Sequence, residues 1–186
     1  MDEVTTLASA ARTGDRGAAA AFIRATQQQV WRLCAHLVDA SAADDLAQET
    51  YLRAFRALPG FRGRSSARTW LLSIARRVCM DELRARTRRR HRDSQLGAGA
   101  AGEAGPDPCE QVAAGALLAH LTPERRAAFV LTQLCGFSYQ EAAAICGCPA
   151  GTIRSRVARA RSDLVAMLGQ REGHDPELTA RPGTPW

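Results

Sequence analysis

Residues 138–161, Ser138-Tyr-Gln-Glu-Ala-Ala-Ala-Ile-Cys-Gly-Cys-Pro-Ala-Gly-Thr-Ile-Arg-Ser-Arg-Val-Ala-Arg-Ala-Arg161, decide the fold. Ser138 and Glu141 have the spacing of a capping box, in which each side chain satisfies a free backbone N–H of the other. The helix opened there runs through Ile145 and stops at Gly147. Pro149 opens a longer helix that runs to about Leu168. On it Ile153, Val157, Ala160 and Leu164 step by four, three and four residues and form one buried stripe. A short capped helix, a turn containing glycine and a basic second helix are the parts of a helix-turn-helix, whose second helix enters the DNA major groove. Arg154, Ser155, Arg156, Arg159 and Arg161 then fall on the flanks and outer face, where arginine can grip guanine edges or clamp phosphates. Gly151 and Thr152, at the helix N-terminus, offer backbone N–H groups to a phosphate. The competing reading is a structural three-helix bundle with a solvated arginine face.

Outward from this motif, Leu121-Thr-Pro-Glu124 marks a helix start with Thr122 as cap and Pro123 in the first turn, and that helix ends near Gly136. A further helix around Val112 to His120 precedes it. Residues 110–171 thus make one small helical domain. Residues 172–186, with three Pro and two Gly after residue 172, are expected to be a disordered tail. Residues 93–109 have the composition of a flexible linker, with four Gly, two Pro and almost no large apolar side chain.

A second helical domain is expected over 15–92. Phe22, Val30, Leu33 and Leu37 follow helical spacing, and Ser41-Ala-Ala-Asp44 resembles a capping box for a helix ending at Leu58 before Pro59-Gly60. A polar loop, Phe61 to Arg68, leads into a long helix from Thr69 to about Arg90 with Trp70, Leu71, Ile74, Val78 and Leu83 as its apolar residues. No segment alternates in the manner of a strand. The fold class is therefore all-α, two small helical domains joined by a flexible linker, the C-terminal one a helix-turn-helix.

Composition agrees with this. The chain has 186 residues and a net charge of +6, and every one of its 25 basic residues is arginine. Residues 62–92 hold eleven Arg against two acids, Asp81 and Glu82. Arg154 to Arg161 form a second acid-free block. Two basic concentrations on an otherwise mildly acidic chain are the footprint of a nucleic-acid binder. No apolar run reaches the roughly 20 residues that cross a bilayer, and the acidic start, Met1-Asp-Glu-Val, does not look like a secretion signal, so a cytoplasmic protein without membrane insertion is expected. The six cysteines read as reduced thiols, and Cys146-Gly-Cys148 lacks zinc-site spacing. The four histidines are scattered and no glycine-rich phosphate loop is present, so no enzyme, metal, cofactor or small-molecule substrate is expected.

Residues 44–55, Asp44-Asp-Leu-Ala-Gln-Glu-Thr-Tyr-Leu-Arg-Ala-Phe55, carry a further signal. Ala47, Tyr51, Ala54, Phe55 and Leu58 share the inward side of a helix. Asp45, Gln48, Glu49, Leu52, Arg53 and Arg56 face elsewhere, which puts a large apolar Leu52 among polar neighbours. Glu49 and Arg53 can pair at i,i+4, and one exposed leucine is ordinary. An acidic and polar stripe with one apolar anchor also suits a partner helix.

Three segments, residues 121–131, 136–143 and 151–161, resemble domain 4 of the bacterial sigma-70 family, which reads the promoter −35 element. Residues 44–55 resemble region 2.2 of that family. The resemblance implies that Asp44, Asp45, Gln48, Glu49, Leu52, Arg53 and Arg56 bind core RNA polymerase, whose β′ clamp helices and β flap are the implied partner surfaces. Phe61 through Thr69-Trp-Leu-Leu-Ser-Ile-Ala-Arg-Arg-Val-Cys-Met-Asp-Glu-Leu-Arg84 is similar to regions 2.3 and 2.4, which implies that Phe61, Arg62, Arg64, Ser65, Arg68, Arg76, Arg77 and Met80 recognise and melt the −10 element. Physically, single-strand capture needs a basic groove with stacking surfaces, and Phe61 is a candidate platform while Trp70 fits the core better. The −35 contacts implied are Gly151, Thr152, Arg154, Ser155, Arg156 and Arg159. With no room for domain 3, the chain resembles the extracytoplasmic-function (ECF) group. Residues 21–28 and 146–156 are most similar to actinobacterial SigC-type members. Promoter DNA and an anti-sigma factor complete the implied partners. The rival function is a helix-turn-helix regulator that acts without polymerase.

Overall fold

The computed structural model describes residues 2–95 and 110–172, and they contain only helices and turns. The order is α1 (Glu3–Arg12), α2 (Arg16–Leu37), α3 (Ala43–Ala57), a 3-10 turn (Leu58–Gly60), α4 (Ala67–Gln95), α5 (Glu110–Ala119), α6 (Pro123–Phe129), a π-helical turn (Val130–Leu134), α7 (Tyr139–Cys146) and α8 (Ala150–Glu172). Most of the expected linker, 96–109, and the expected tail from 173 onward lie outside the described residues.

Helix α1 extends the first unit ahead of the expected start at residue 15. Asp2 caps it by accepting the Thr5 N–H at 3.0 Å, and Val4 and Ala8 enter the core. Helices α2, α3 and α4 close around Phe22, Val30, Leu33, Leu37, Ala54, Leu71, Leu72 and Val78, all buried. The rings of Phe22 and Phe55 form a T-shaped pair with centroids 6.5 Å apart. Cys34 and Cys79 are buried free thiols in this core, and their mutual contact together with burial pushes the Cys79 thiol well up.

The start of α3 differs from the expected Ser41 capping box. Asp39 takes the capping role: its Oδ1 accepts from the Ser41 hydroxyl and from the Ala42 N–H at 2.9 Å, and the helix opens at Ala43 without a side-chain cap of its own. Asp39 outcompetes Asp44 because its carboxylate reaches the turn while Asp44 is held by Trp31. The inward face of α3 is also rotated relative to the expected one. Ala43, Leu46, Thr50 and Ala54 are buried, whereas Ala47, Tyr51 and Phe55 are half-buried.

The second unit matches its sequence pattern closely. Ser138 and Glu141 form both halves of the capping box, Gly147 ends α7 at φ 66°, and Ile153, Val157 and Ala160 are buried with Leu164 half-buried. Thr122 precedes α6 with no capping hydrogen bond, so Pro123 alone fixes that start. The chain leaves α6 through a π turn closed by the Cys135 N–H on the Val130 carbonyl at 2.9 Å, then through Gly136 at φ 73°.

The two units pack on one another. Helix α4 lies against α6 and α7, and α2 lies against α6 and the π turn.

Candidate nucleic-acid interface

Helix α8 places its arginines as a reading helix requires. Its apolar stripe is turned to α6 and α7, which leaves Arg154, Ser155, Arg159 and Gly151 exposed and Thr152 and Arg156 half-buried. Arg154 lies 5.9 Å from the ring centre of Tyr139, which props the guanidinium beside the start of the helix. Arg156 donates from Nη1 to Cys148 Sγ at 3.7 Å. Arg161 is tied to Gln133 Oε1 at 2.6 Å, and Arg125 pairs with Asp163 at 2.6 Å, so the middle of α8 is braced against α6 and the π turn. Among its described side chains, the guanidinium groups without an acidic or amide partner are those of Arg154, Arg156 and Arg159, in the first half of the helix.

The loop into α4 forms a second basic surface. Gly60, Phe61, Arg62, Arg64, Ser65 and Trp70 line an open hollow of about 350 Å³. Arg62, Arg64 and Ser65 are exposed, Gly63 between them adopts φ 66°, and Arg68 is half-buried. Phe61 is not a free stacking platform: it is 6% exposed, and its ring stands 5.0 Å from that of Trp70, which is half-buried and forms the other wall. Arg77 is exposed. Arg76 is half-buried, with Nε lacking a partner among the described residues, beside the Cys146 thiol that burial pushes up. Met80 is displaced from this surface altogether. It is buried, and it lines a groove with Leu83, Arg84 and Pro123 between α4 and α6, because its turn of α4 faces the second unit.

On α3, Asp45, Gln48, Leu52 and Arg56 are exposed, with Leu52 at 50%. Arg53 joins Glu49 at 2.7 Å and Asp81 on α4 at 2.8 Å, which fixes the acidic face relative to α4. Trp31 is 39% exposed and donates from Nε1 to Asp44 Oδ1 at 2.9 Å. With Ile23, Gln27, Gln28, Ala47 and Tyr51 these two residues border a groove of about 440 Å³ between α2 and α3. Adjacent to the Leu52 surface, this groove was not foreseen, since its walls come from two helices.

Arg126 was also missed. It sits in a run that looks like solvated surface, Glu124-Arg-Arg126, yet it is buried and donates from Nη1 to the Leu37 carbonyl at 2.8 Å.

A helix-turn-helix with an arginine-rich second helix, carried with a helical unit whose basic loop encloses a base-sized hollow, defines a DNA-binding protein of transcription. Two family models match the chain: Sigma-70 region 2 over residues 22–89, and Sigma-70, region 4 over residues 111–164. The ECF RNA polymerase sigma factor SigC of Mycobacterium tuberculosis is 52% identical over 170 residues, covering 89% of this chain and 91% of the relative. The ECF RNA polymerase sigma factor EcfG of Rhodopseudomonas palustris is 40% identical over 136 residues, 70% of this chain and 73% of the relative. Among solved structures, CnrH in complex with the cytosolic domain of CnrY superposes with a TM-score of 0.73 at 26% identity, covering 91% of this chain and 99% of that one. The sigma factor RpoE of Bartonella quintana, solved with the anti-sigma factor NepR, gives 0.62 at 32% identity over 79% and 94% of the two chains. The chain belongs to the sigma-70 family, in its ECF group.

Proposed function

We propose that the protein joins core RNA polymerase, directs it to a promoter with −35 and −10 elements and helps to open the DNA there. The division of labour follows the two units: 15–92, with α1 added ahead of it, as domain 2; 93–109 as linker; 110–171 as domain 4; and 172–186 as tail. Asp44, Asp45, Gln48, Glu49, Leu52, Arg53 and Arg56 supply the polymerase-binding face. Arg62, Arg64, Ser65, Arg68, Arg76 and Arg77, with Phe61 as a wall, hold the −10 strand, and Gly151, Thr152, Arg154, Ser155, Arg156 and Arg159 read the −35 duplex. The single observation that carries this reading is the pairing of two basic surfaces of different geometry: a convex helix suited to a major groove, and a hollow suited to an extruded base. Charge supplies affinity on both, and shape separates duplex from single strand.

The protein performs no covalent chemistry in this scheme, because polymerase supplies the active site. A polymerase partner also places it in the cytoplasm. No helix among the described residues is long and apolar enough to cross a membrane. Because RpoE of Bartonella quintana was solved with an anti-sigma factor, we extend the partner set to one here.

Run-off transcription with purified protein and core polymerase on a library of genomic fragments tests the reading. Initiation from defined start sites that depends on the protein is the expected result. A protein that footprints a palindrome alone and supports no initiation would instead be a helix-turn-helix regulator.

A further inference from the structure

Helix α1 lies ahead of the residues matched to Sigma-70 region 2, which begin at 22. It packs on α2, on α4 and on the Leu58–Gly60 turn. Its two ends tie the two ends of the loop that forms the basic hollow. At the first end, Ala67 is the first residue of α4, and its N–H has no partner within that helix. Thr5 Oγ1 accepts it at 2.9 Å in a buried bond spanning 62 residues. The same hydroxyl donates to Asp2 Oδ2 at 2.8 Å, so its proton is committed to the carboxylate and its lone pair is left facing Ala67. The Thr5 hydroxyl holds the Asp2 carboxyl below its ordinary range; burial opposes this, and the Thr5 N–H adds to the lowering. At the other end, Arg12 donates from Nη1 to the Phe61 carbonyl at 3.0 Å. Between the ties, Arg62, Gly63, Arg64 and Ser65 project into solvent.

We propose that Thr5 and Arg12 are positioning residues for −10 recognition, with α1 acting as a splint that holds the Phe61–Ala67 loop in its strand-accepting shape. This rests on the reading of the hollow as the −10 single-strand surface. Neither residue touches the DNA. Each acts through the loop, because a loop already held in its bound shape loses less freedom when a strand enters it. The contribution of α1 should therefore appear in strand capture and not in polymerase binding, whose surface lies on α3.

The test uses full-length protein in holoenzyme. A randomised single-stranded 12-mer DNA pool is selected on the wild-type holoenzyme, and the enriched oligonucleotide becomes the probe. Thr5→Val is expected to weaken probe binding by about tenfold, the scale of one lost buried hydrogen bond, and Arg12→Gln, whose bond is only partly buried, by about threefold. Affinity for core polymerase should stay within about twofold, and Thr5→Ser, which keeps the hydroxyl, should return probe binding to within about twofold of wild type. Wild-type probe affinity in both Thr5→Val and Arg12→Gln overturns the proposal. So does a parallel loss of core affinity, since that marks a general folding role. Should Thr5→Val fail to fold, Arg12→Gln decides by the same two readouts, because Arg12 is exposed. If the wild-type holoenzyme enriches no oligonucleotide, the −10 reading itself falls and the splint with it.

Discussion

Arg126 donates from Nη1 to the main-chain carbonyl of Leu37 at 2.8 Å, joining the helix before the helix-turn-helix to the end of α2 across 89 residues. A guanidinium suits the carbonyl end of a helix, where the backbone dipole is negative. Its Nε has no partner among the described residues, and burial lowers its proton affinity. One charge-assisted bond, worth about 1.5–3 kcal/mol, is thus offset by the cost of desolvating a charge. Arg126→Met is expected to change unfolding free energy by less than about 1 kcal/mol and yet loosen the two units. Small-angle scattering should record a larger radius of gyration, and an unchanged one would count against Arg126 as the tie.

Leu52 stands half in solvent among Asp45, Gln48 and Arg56. Leu52→Asp, or reversal of Asp45 and Glu49 to Arg, should abolish co-purification with core polymerase. The far-UV circular dichroism should remain helical, because Leu52 contributes little to the core. Retained binding would remove this face from the polymerase interface.

For the recognition helix, Arg154→Ala and Arg159→Ala are each expected to weaken binding to −35 duplex by about 1–3 kcal/mol if they contact base edges. The loss should then be concentrated at particular base pairs in a mutated-site series. An equal loss on every sequence, with a shallower salt dependence, would make them phosphate contacts.

Glu82 provides a pH prediction. The Arg86 hydrogen bond holds its carboxyl below the ordinary range, burial opposes this, and Arg89 and the Arg86 charge add to the lowering. Arg86 also bridges to Asp39. Because the folded-state value lies below the unfolded one, the stabilisation is complete above the ordinary glutamate value and is lost as pH falls through the folded value. The melting temperature should therefore hold down to about pH 4.3 and decline below it. Glu82→Gln should lower it at neutral pH and show a shallower acid decline. Equal acid slopes in the two proteins would refute the assignment.

Local signals were legible in the sequence, and tertiary ones were not. Ser138 and Glu141 cap each other within one turn, so their pattern alone placed α7 correctly. Ser41 and Asp44 have similar spacing but fail, because Asp39 reaches the same turn and Trp31 draws Asp44 away. Helix α1 gathers its apolar residues on one face, but only Val4 and Leu7 are large, so the segment alone gives little sign of belonging to the core until α2 and α4 cover it. Arg126 resembles its exposed neighbours until α2 is brought against it. The candidate DNA surfaces followed from charge, but the burial of Phe61 and Met80 did not, since packing partners distant in sequence decide it.

Helix α4 serves two masters. Leu71, Leu72, Ala75, Val78 and Cys79 point into the core while Arg68 and Arg77 remain at least partly open to solvent. A genetic screen for lost promoter activity should consequently recover two kinds of allele from one short stretch. Changes such as Leu71→Ala, costing about 2–5 kcal/mol of stability, should be heat-sensitive and rescued by growth in the cold or by higher dosage. Changes such as Arg77→Ala should fail at every temperature and at every dose.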